Sequence, residues 1–360
     1  MRLGLLIYGS LDNLSGGYLY DRKLVEHLQS QGDRVEIISL PWRSYLSHLR
    51  DNLSTRLLGR LANLEIEILL QDELNHPSLF WLNRHLRKRV SYPFVTIVHH
   101  LRSSEQRPAW QNHFYRWVER AYLASVEGFI FNSQTTREVV QGLVGTDRPG
   151  LVAYPAGNRF RPGLTEGEIA QRAALPGPLQ VLFLGNLIPR KGLHTLLLAL
   201  NRLPPGTWSL AVIGSLEADR AYAARMRRLA AQLGLSGRIK FLGSLEENEL
   251  AFQLKKSHLL VVPSSYEGFG IVYLEGMGFG LPAIATTAGS AGEIITHGLD
   301  GYLIAPGEAR SLAQHLRELA ENRPKLARLG QAALRRFSSY ATWEQTGAQI
   351  RNFLLQLRGS

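Results

Sequence analysis

Residues 263 to 282 read PSSYEGFGIVYLEGMGFGLP, and two carboxylates, Glu267 and Glu275, stand there with seven residues between them. The turn Gly268-Phe269-Gly270 joins a short apolar run, Leu259 to Val262, to a segment whose Ile271, Leu274, Met277 and Gly278 recur at helical spacing. A strand, a Gly-rich turn and a helix N-terminus make an anion site, because backbone N–H groups and the helix dipole face the ligand. Carboxylates beside an anion need other partners, and an ionised Glu accepts both hydroxyls of a diol. The chemistry that fits is recognition of a sugar attached to a phosphate.

A basic pair, Arg190-Lys191, lies between Gly185-Asn186-Leu187-Ile188-Pro189 and Gly192. Arg as a planar fork and Lys as a point charge suit the two phosphates of a nucleotide leaving group. Cations at a helix start oppose its dipole, which disfavours a purely structural role. In the first half, the apolar run 93 to 98 ends in His99-His100-Leu101-Arg102. Imidazole bonds a sugar hydroxyl or positions an acceptor oxygen. A polar strand end facing solvent is the plain alternative, and the adjacency of the two histidines leaves the choice between them open. Gly16 and Gly17 let the backbone approach a ligand closely.

Short apolar runs alternate with amphipathic patterns, the mark of parallel sheets with crossover helices. Strands are expected at 3–8, 34–39, 65–70, 93–98, 128–131 and 151–153, then at 180–184, 208–213, 238–241, 259–262, 282–286 and 301–304. Helices are expected at 17–31, 77–89, 111–125 and 134–142 in the first half. Pro/Gly punctuation at 154–163 and 175–178 puts the domain boundary there, giving domains over 1–160 and 161–340. Residues 342–358 form a last helix.

The Glu267/Glu275 segment resembles the Glu-x7-Glu signature of retaining glycosyltransferases of family 4 (glycosyl transferases group 1). FLGNLIPRKGLHTLLLAL (183–200), FLGSLEENEL (241–250), GLPAIATTAGSAGEIITHGLDGYLIAPG (280–307) and SGGYLYDRKLVEHLQSQGDRVEII (15–38) follow the same order and spacing. The resemblance implies an α/β protein of GT-B fold: two Rossmann-like domains facing each other across a central cleft, with the helix in 341–360 returning to the N-terminal domain. The first domain would then bind the acceptor and the second the nucleotide sugar. The resemblance also implies that Glu275 holds the ribose hydroxyls and Glu267 the transferred sugar, with Gly268, Phe269, Gly270 and Ile271 around sugar and phosphate. Gly17, Gly185, Asn186, Gly214 and Leu245 complete the donor site. His99, Arg190, Lys191 and Glu267 are expected to carry catalysis, and His100, Arg102 and Glu105 to meet the acceptor. For Glu275 the plain alternative is a buried helix carboxylate satisfied by neighbouring amides. The family usually has Arg where Asn186 stands; either Arg190 reaches the same phosphate or the leaving group is stabilised less. The chain has no Asp-x-Asp pair, the motif that holds a divalent cation on the diphosphate in metal-dependent glycosyltransferases. The expectation is a retaining, metal-independent enzyme with no cofactor and no metal ligands. A nucleotide-sugar epimerase shares the fold but is not expected to keep Glu-x7-Glu. A silent GT-B subunit is favoured by Asn186 and opposed by Lys191, Glu267 and Glu275.

The 360 residues are long enough for two cores, and the absence of cysteine excludes disulfides and thiolate metal sites. The opening MRLGLLIYGS reads as a buried strand rather than a signal peptide, and no run reaches the eighteen or so apolar residues of a membrane span. The expected location is cytoplasmic. The net charge of +11 is spread over both halves, with no arm for nucleic acid. It concentrates at 84–89 and at 41–61, where Trp42 and leucines interleave with Arg43, Arg50, Arg56 and Arg60. Such stretches lie on an anionic membrane surface, or pack their leucines on their own domain. The expected partners are a nucleotide-sugar donor and a lipid or glycan acceptor, a soluble small molecule being the alternative.

Overall fold

The computed structural model describes residues 1–358 except Leu14 and Arg161; Arg161, expected to open the second domain, and residues 359–360 lie outside the described residues. The chain forms two compact units, Met1–Pro155 with Ala341–Ser360, and Ala156–Tyr340. The division falls after Pro155 rather than after residue 160, within the Pro/Gly-rich stretch.

The first unit holds strands β1 (Arg2–Tyr8), β2 (Arg34–Leu40), β3 (Ile68–Asp72), β4 (Phe94–Val98), β5 (Gly128–Phe131) and β6 (Gly150–Val152). The second holds β7 (Leu179–Leu184), β8 (Trp208–Ile213), β9 (Ile239–Gly243), β10 (Leu259–Val261), β11 (Ala283–Thr286) and β12 (Gly301–Ile304). The sheet orders are β2-β1-β3-β4-β5-β6 and β12-β11-β10-β7-β8-β9, and the paired strands run parallel. Every residue of β4 and of β10 is buried, as a parallel strand covered by helices on both faces requires. That is why these strands read as continuous apolar runs rather than alternating ones.

Two helical stretches differ from expectation. The 77–89 pattern is two short helices, His76–Leu79 and Leu82–Leu86, broken at Phe80-Trp81. The 41–61 stretch is three pieces, Tyr45–Leu49, a 3-10 turn Arg50–Leu53 and Thr55–Ala62. Ser44 and Ser54 restart it, each side chain accepting a hydrogen bond from the backbone N–H three residues on. Leu57 and Leu61 are buried, so this part of the stretch packs on its own domain.

The last helix, Trp343–Arg358, closes the first unit against helix Gly16–Ser30. Gly347 admits the His27 ring; a Cβ there would stand 2.4 Å from its Cγ. Arg351 Nε donates to Asp33 Oδ2 at 2.6 Å, and Thr346 Oγ1 to the Tyr154 carbonyl at 2.8 Å. Leu354 is fully buried on this helix, so Leu354→Ala is expected to cost about 2–5 kcal/mol, read as a lowered urea midpoint.

Candidate active site

The second sheet reverses its strand order between β7 and β10, and the loops leaving their carboxyl ends diverge there, the usual ligand position in open parallel sheets. The basic pair and Glu267 sit on these two loops. Arg190 and Lys191 occupy a 3-10 turn, Pro189–Lys191, that ends in Gly192 before helix Leu193–Leu200. Gly192 has φ of 72°, and a Cβ there would lie 2.0 Å from the Pro263 carbonyl oxygen. Only glycine lets the two loops touch.

The contact assembles one ionic cluster. Lys191 Nζ donates to Glu267 Oε1 at 2.5 Å and Ser264 Oγ donates to the same oxygen at 2.6 Å. Arg190 Nη1 lies 3.4 Å from Glu267 Oε2 and donates to the Tyr266 carbonyl at 2.8 Å. Burial alone would push the Glu267 carboxyl up, but Lys191 and then Arg190 outweigh it and hold it at about 2. Burial pulls Lys191 down, against the attraction of Glu267. In the sequence the two cations and the carboxylate stand in separate motifs, some 76 positions apart. The structure brings all three into one cluster of net charge +1.

The Glu267 loop is pinned from the β11 side. Ser290 Oγ donates to the Gly268 carbonyl at 2.5 Å, and the Ser290 N–H to the Glu267 carbonyl at 3.0 Å. Thr286 Oγ1 donates to the Ser264 carbonyl at 2.6 Å. At Gly289, φ is 84° and a Cβ would stand 2.0 Å from the Glu267 oxygen. Ser264, Thr286 and Ser290 escape sequence reasoning; their signal was the hydroxyl-rich runs after β10 and β11.

Helix Ile271–Gly278 begins at Gly270 and is buried on every side except at Val272, so the expected one-sided stripe is a fully enclosed helix. Glu275 is only 3% exposed on it. Arg159 Nη2 lies 2.9 Å from Glu275 Oε1, an ion pair without hydrogen-bond alignment, and that oxygen and Arg159 Nε have no hydrogen-bond partner among the described residues. Burial pushes the Glu275 carboxyl up to about 7 in spite of Arg159. Among the described residues no amide bonds Oε1, so satisfaction by neighbouring amides does not account for that oxygen. Arg159 carries no motif and is missed by sequence. The ends of β7, β8 and β9 adjoin: the Gly185 N–H donates to Ile213 and the Gly214 N–H to Gly243, each at 2.9 Å. Asn186 Oδ1 accepts from the Ser215 N–H at 3.3 Å, tying two of these loops, and Leu245 is half-buried beyond β9.

In the first sheet the order reverses between β1 and β3. His99, just past β4, is buried, with Nε2 3.2 Å from Asp21 Oδ1. Its N–H donates to Glu73 Oε2 at 2.8 Å, and a Cβ on Gly17 would stand 3.1 Å from its ring. Burial disfavours the charged imidazole, yet Asp21, Asp72 and Glu73 outweigh it and raise His99 to about 10. Burial and the facing acids push Asp72 and Glu73 up. Asp21 Oδ2 and Asp72 Oδ2 are buried and have no hydrogen-bond partner among the described residues. Asp21, Asp72 and His99 are the one group among the described residues whose atoms, within 4.8 Å of one another, could hold a metal ion. The Nε2 proton facing Asp21 would have to leave first. Asp21, Asp72 and Glu73 have no sequence signal beyond their charge.

The acceptor candidates are knitted into their own loop. His100 Nε2 bonds Glu105 Oε1 at 3.0 Å, and Glu105 also pairs with Arg107. The Arg102 guanidinium lies 4.8 Å from the Tyr115 ring centre and 5.2 Å from that of Tyr45. The 72–81 stretch, expected to line a cleft, is buried from Asp72 to Leu79 apart from half-buried Leu74.

Residues 166–336 match the family model of glycosyl transferases group 1. Glycogen synthase of Mycobacterium tuberculosis is 30% identical over 217 residues, covering 56% of this chain and 51% of that protein. The chain spans about half the length of the curated relatives it matches. Sucrose-phosphate synthase from Thermosynechococcus elongatus superposes with a TM-score of 0.84 at 20% identity, covering 99% of both chains. Anabaena HepE in complex with UDP and glucose gives 0.80 at 21%, covering 99% of this chain and 100% of that one. The chain has the GT-B fold, and residues 166–336 of its second unit match the model of glycosyl transferases group 1.

Proposed function

We propose that this chain is a retaining, metal-independent glycosyltransferase that moves a sugar from a nucleotide diphosphate sugar to an acceptor hydroxyl. The observation that carries the reading is the Arg190-Lys191-Glu267 cluster at the β7/β10 reversal. Its net positive charge suits a diphosphate, and its carboxylate suits sugar hydroxyls. Buried Glu275, with an oxygen lacking a hydrogen-bond partner, suits the ribose diol. HepE's complex with UDP and glucose makes UDP-glucose the first donor to try.

In the proposed reaction the bond from the anomeric carbon to the phosphate oxygen breaks, and the acceptor oxygen bonds to the same face of that carbon. The acceptor proton passes to the leaving phosphate. Arg190 and Lys191 stabilise the charge that builds on the diphosphate, and Glu267 faces the oxocarbenium-like sugar. His99, charged by Asp21, serves as a hydrogen-bond donor and not as a base. The proposed acceptor is a lipid, a lipid-linked glycan or an envelope polysaccharide, in a cytoplasmic reaction.

Hydrolysis and binding across UDP-, GDP- and ADP-sugars with EDTA present test the reading. Turnover of one donor that survives EDTA and falls in Glu275→Ala is expected; binding of none removes the donor site and leaves a silent GT-B subunit. The donor's affinity is expected to weaken as pH falls through about 7, because the raised Glu275 carboxyl gains its proton there. In Glu275→Gln the affinity should be about 10- to 100-fold lower and flat with pH across that range. NMR titration checks His99: its ring is expected to stay protonated through pH 8, whereas in Asp21→Asn it titrates lower. A wild-type midpoint near 6.5 would remove the donor role.

A further inference from the structure

Helix Ala109–Leu123 has two apolar faces, and the fold uses one of them. Val118, Tyr122 and Leu123 are buried in the core of the first unit. Trp110, Phe114 and Trp117 recur at positions i, i+4 and i+7 on another face, and the two tryptophans are 71% and 60% exposed. Two neighbouring segments extend this stripe. The Tyr45 ring stands 6.1 Å from Phe114, and beside Tyr45 is Leu46, 69% exposed. Phe80 packs edge-on to Trp117 at 5.7 Å, and its neighbour Trp81 is 46% exposed. Asn52 joins the other two segments, accepting from the Trp81 N–H at 2.8 Å and donating to the Pro77 carbonyl at 2.8 Å. The next residue, Leu53, is 71% exposed.

The charge around these side chains has one sign. Within 41–62, 76–91 and 108–124 the acids are Asp51 and Glu119, and both are buried. Asp51 is consumed by Arg43 and by Ser78, whose Oγ donates to it at 2.7 Å. Arg50, Arg56, Arg84 and Lys88 are exposed, as are Arg116 and Arg120 on the aromatic helix itself, and none has a carboxylate partner among the described residues. Exposed Trp beside Arg and Lys matches the two layers of an anionic bilayer surface. The amphipathic rings sit at headgroup depth, and each cation near the lipid charge strengthens binding about fivefold. No helix among the described residues is long and apolar enough to cross a membrane.

We propose that this face of the first unit docks on an anionic lipid surface, with Trp110, Phe114, Trp117, Trp81, Leu46 and Leu53 entering the headgroup layer. The expected segments 41–61 and 84–89 supply part of it, but its centre is helix Ala109–Leu123, which carries no charge run to mark it. The proposal stands on this surface alone and needs no sugar transfer, so it is tested apart from the proposed reaction. The full chain is mixed with phosphatidylcholine vesicles with and without phosphatidylglycerol, and bound protein is measured by sedimentation over a range of salt. Lipids brominated near the headgroup report whether the tryptophans enter. The expected result is binding to the anionic vesicles only, weakened by salt, with quenching of tryptophan fluorescence. Trp110→Ala with Trp117→Ala should lower binding at least tenfold and remove most of the quenching, with an unchanged circular dichroism spectrum. Arg84→Gln with Lys88→Gln should lower binding and flatten its salt dependence. Absence of binding at low salt overturns the proposal, as does binding that the tryptophan variant leaves unchanged. A concentration-dependent dimer abolished by the same variant, without vesicle binding, would assign the face to a second copy instead.

Discussion

A carboxylate taken out of water must find cations or protons, and Glu267 shows how far that demand reaches. Its two oxygens take Lys191, Ser264 and Arg190, which come from the loops after β7 and β10. Those loops meet only because Gly192 lets one press on the carbonyl of Pro263. The backbone around Glu267 is fixed in turn by Ser290 and Gly289 from beyond β11. Three crossover connections are thus tuned to one side chain. A change in any of them loosens a buried charge, which is costlier than losing an exposed ion pair.

The two units solve a shared problem with opposite signs. A parallel sheet covered by helices leaves no room for charge along its strands, so ionisable groups collect at the carboxyl ends, where the order reverses. In the second unit the cluster sums to positive and its carboxylate stays ionised. In the first unit three acids crowd one imidazole, and the excess negative charge is relieved by protons: His99 holds one firmly while Asp72 and Glu73 are pushed towards holding theirs. A proton-rich site and a cation-rich site are different tools, the first suited to donating hydrogen bonds and the second to anchoring phosphate.

What the sequence made legible follows from which interactions are local. Each of the twelve strands among the described residues lies within a few residues of its expected place. β4 and β10 are legible because burial on both faces favours a continuous apolar run, whereas the edge strands β2, β6 and β9 are partly exposed and leave a weaker trace. β3 starts at Ile68 rather than 65, since Glu65 and Glu67 precede the buried run. The 41–61 stretch reads as one amphipathic element, although Ser44 and Ser54 are visible caps that break it. In the site, Arg190, Lys191, Glu267 and Glu275 were legible because glycines and charges cluster beside them in the chain. Arg159 and Asp21 were not: they meet their partners across 116 and 78 positions, by folding alone. The aromatic stripe of helix Ala109–Leu123 was hidden for another reason, since an exposed apolar face and a buried one leave the same trace in a sequence.

The helix Trp343–Arg358 belongs to the unit that begins at Met1, with the whole of Ala156–Tyr340 threaded between. On a ribosome this imposes an order. The second unit emerges complete and is free to fold while the first still exposes the surface of helix Gly16–Ser30 that the last helix covers. The Asp33 carboxylate waits for Arg351, 318 positions further along the chain, while synthesis runs at roughly 5–20 residues per second. This early-made part of the chain is therefore the last to reach its native packing, and for tens of seconds it is the part a chaperone or protease would find.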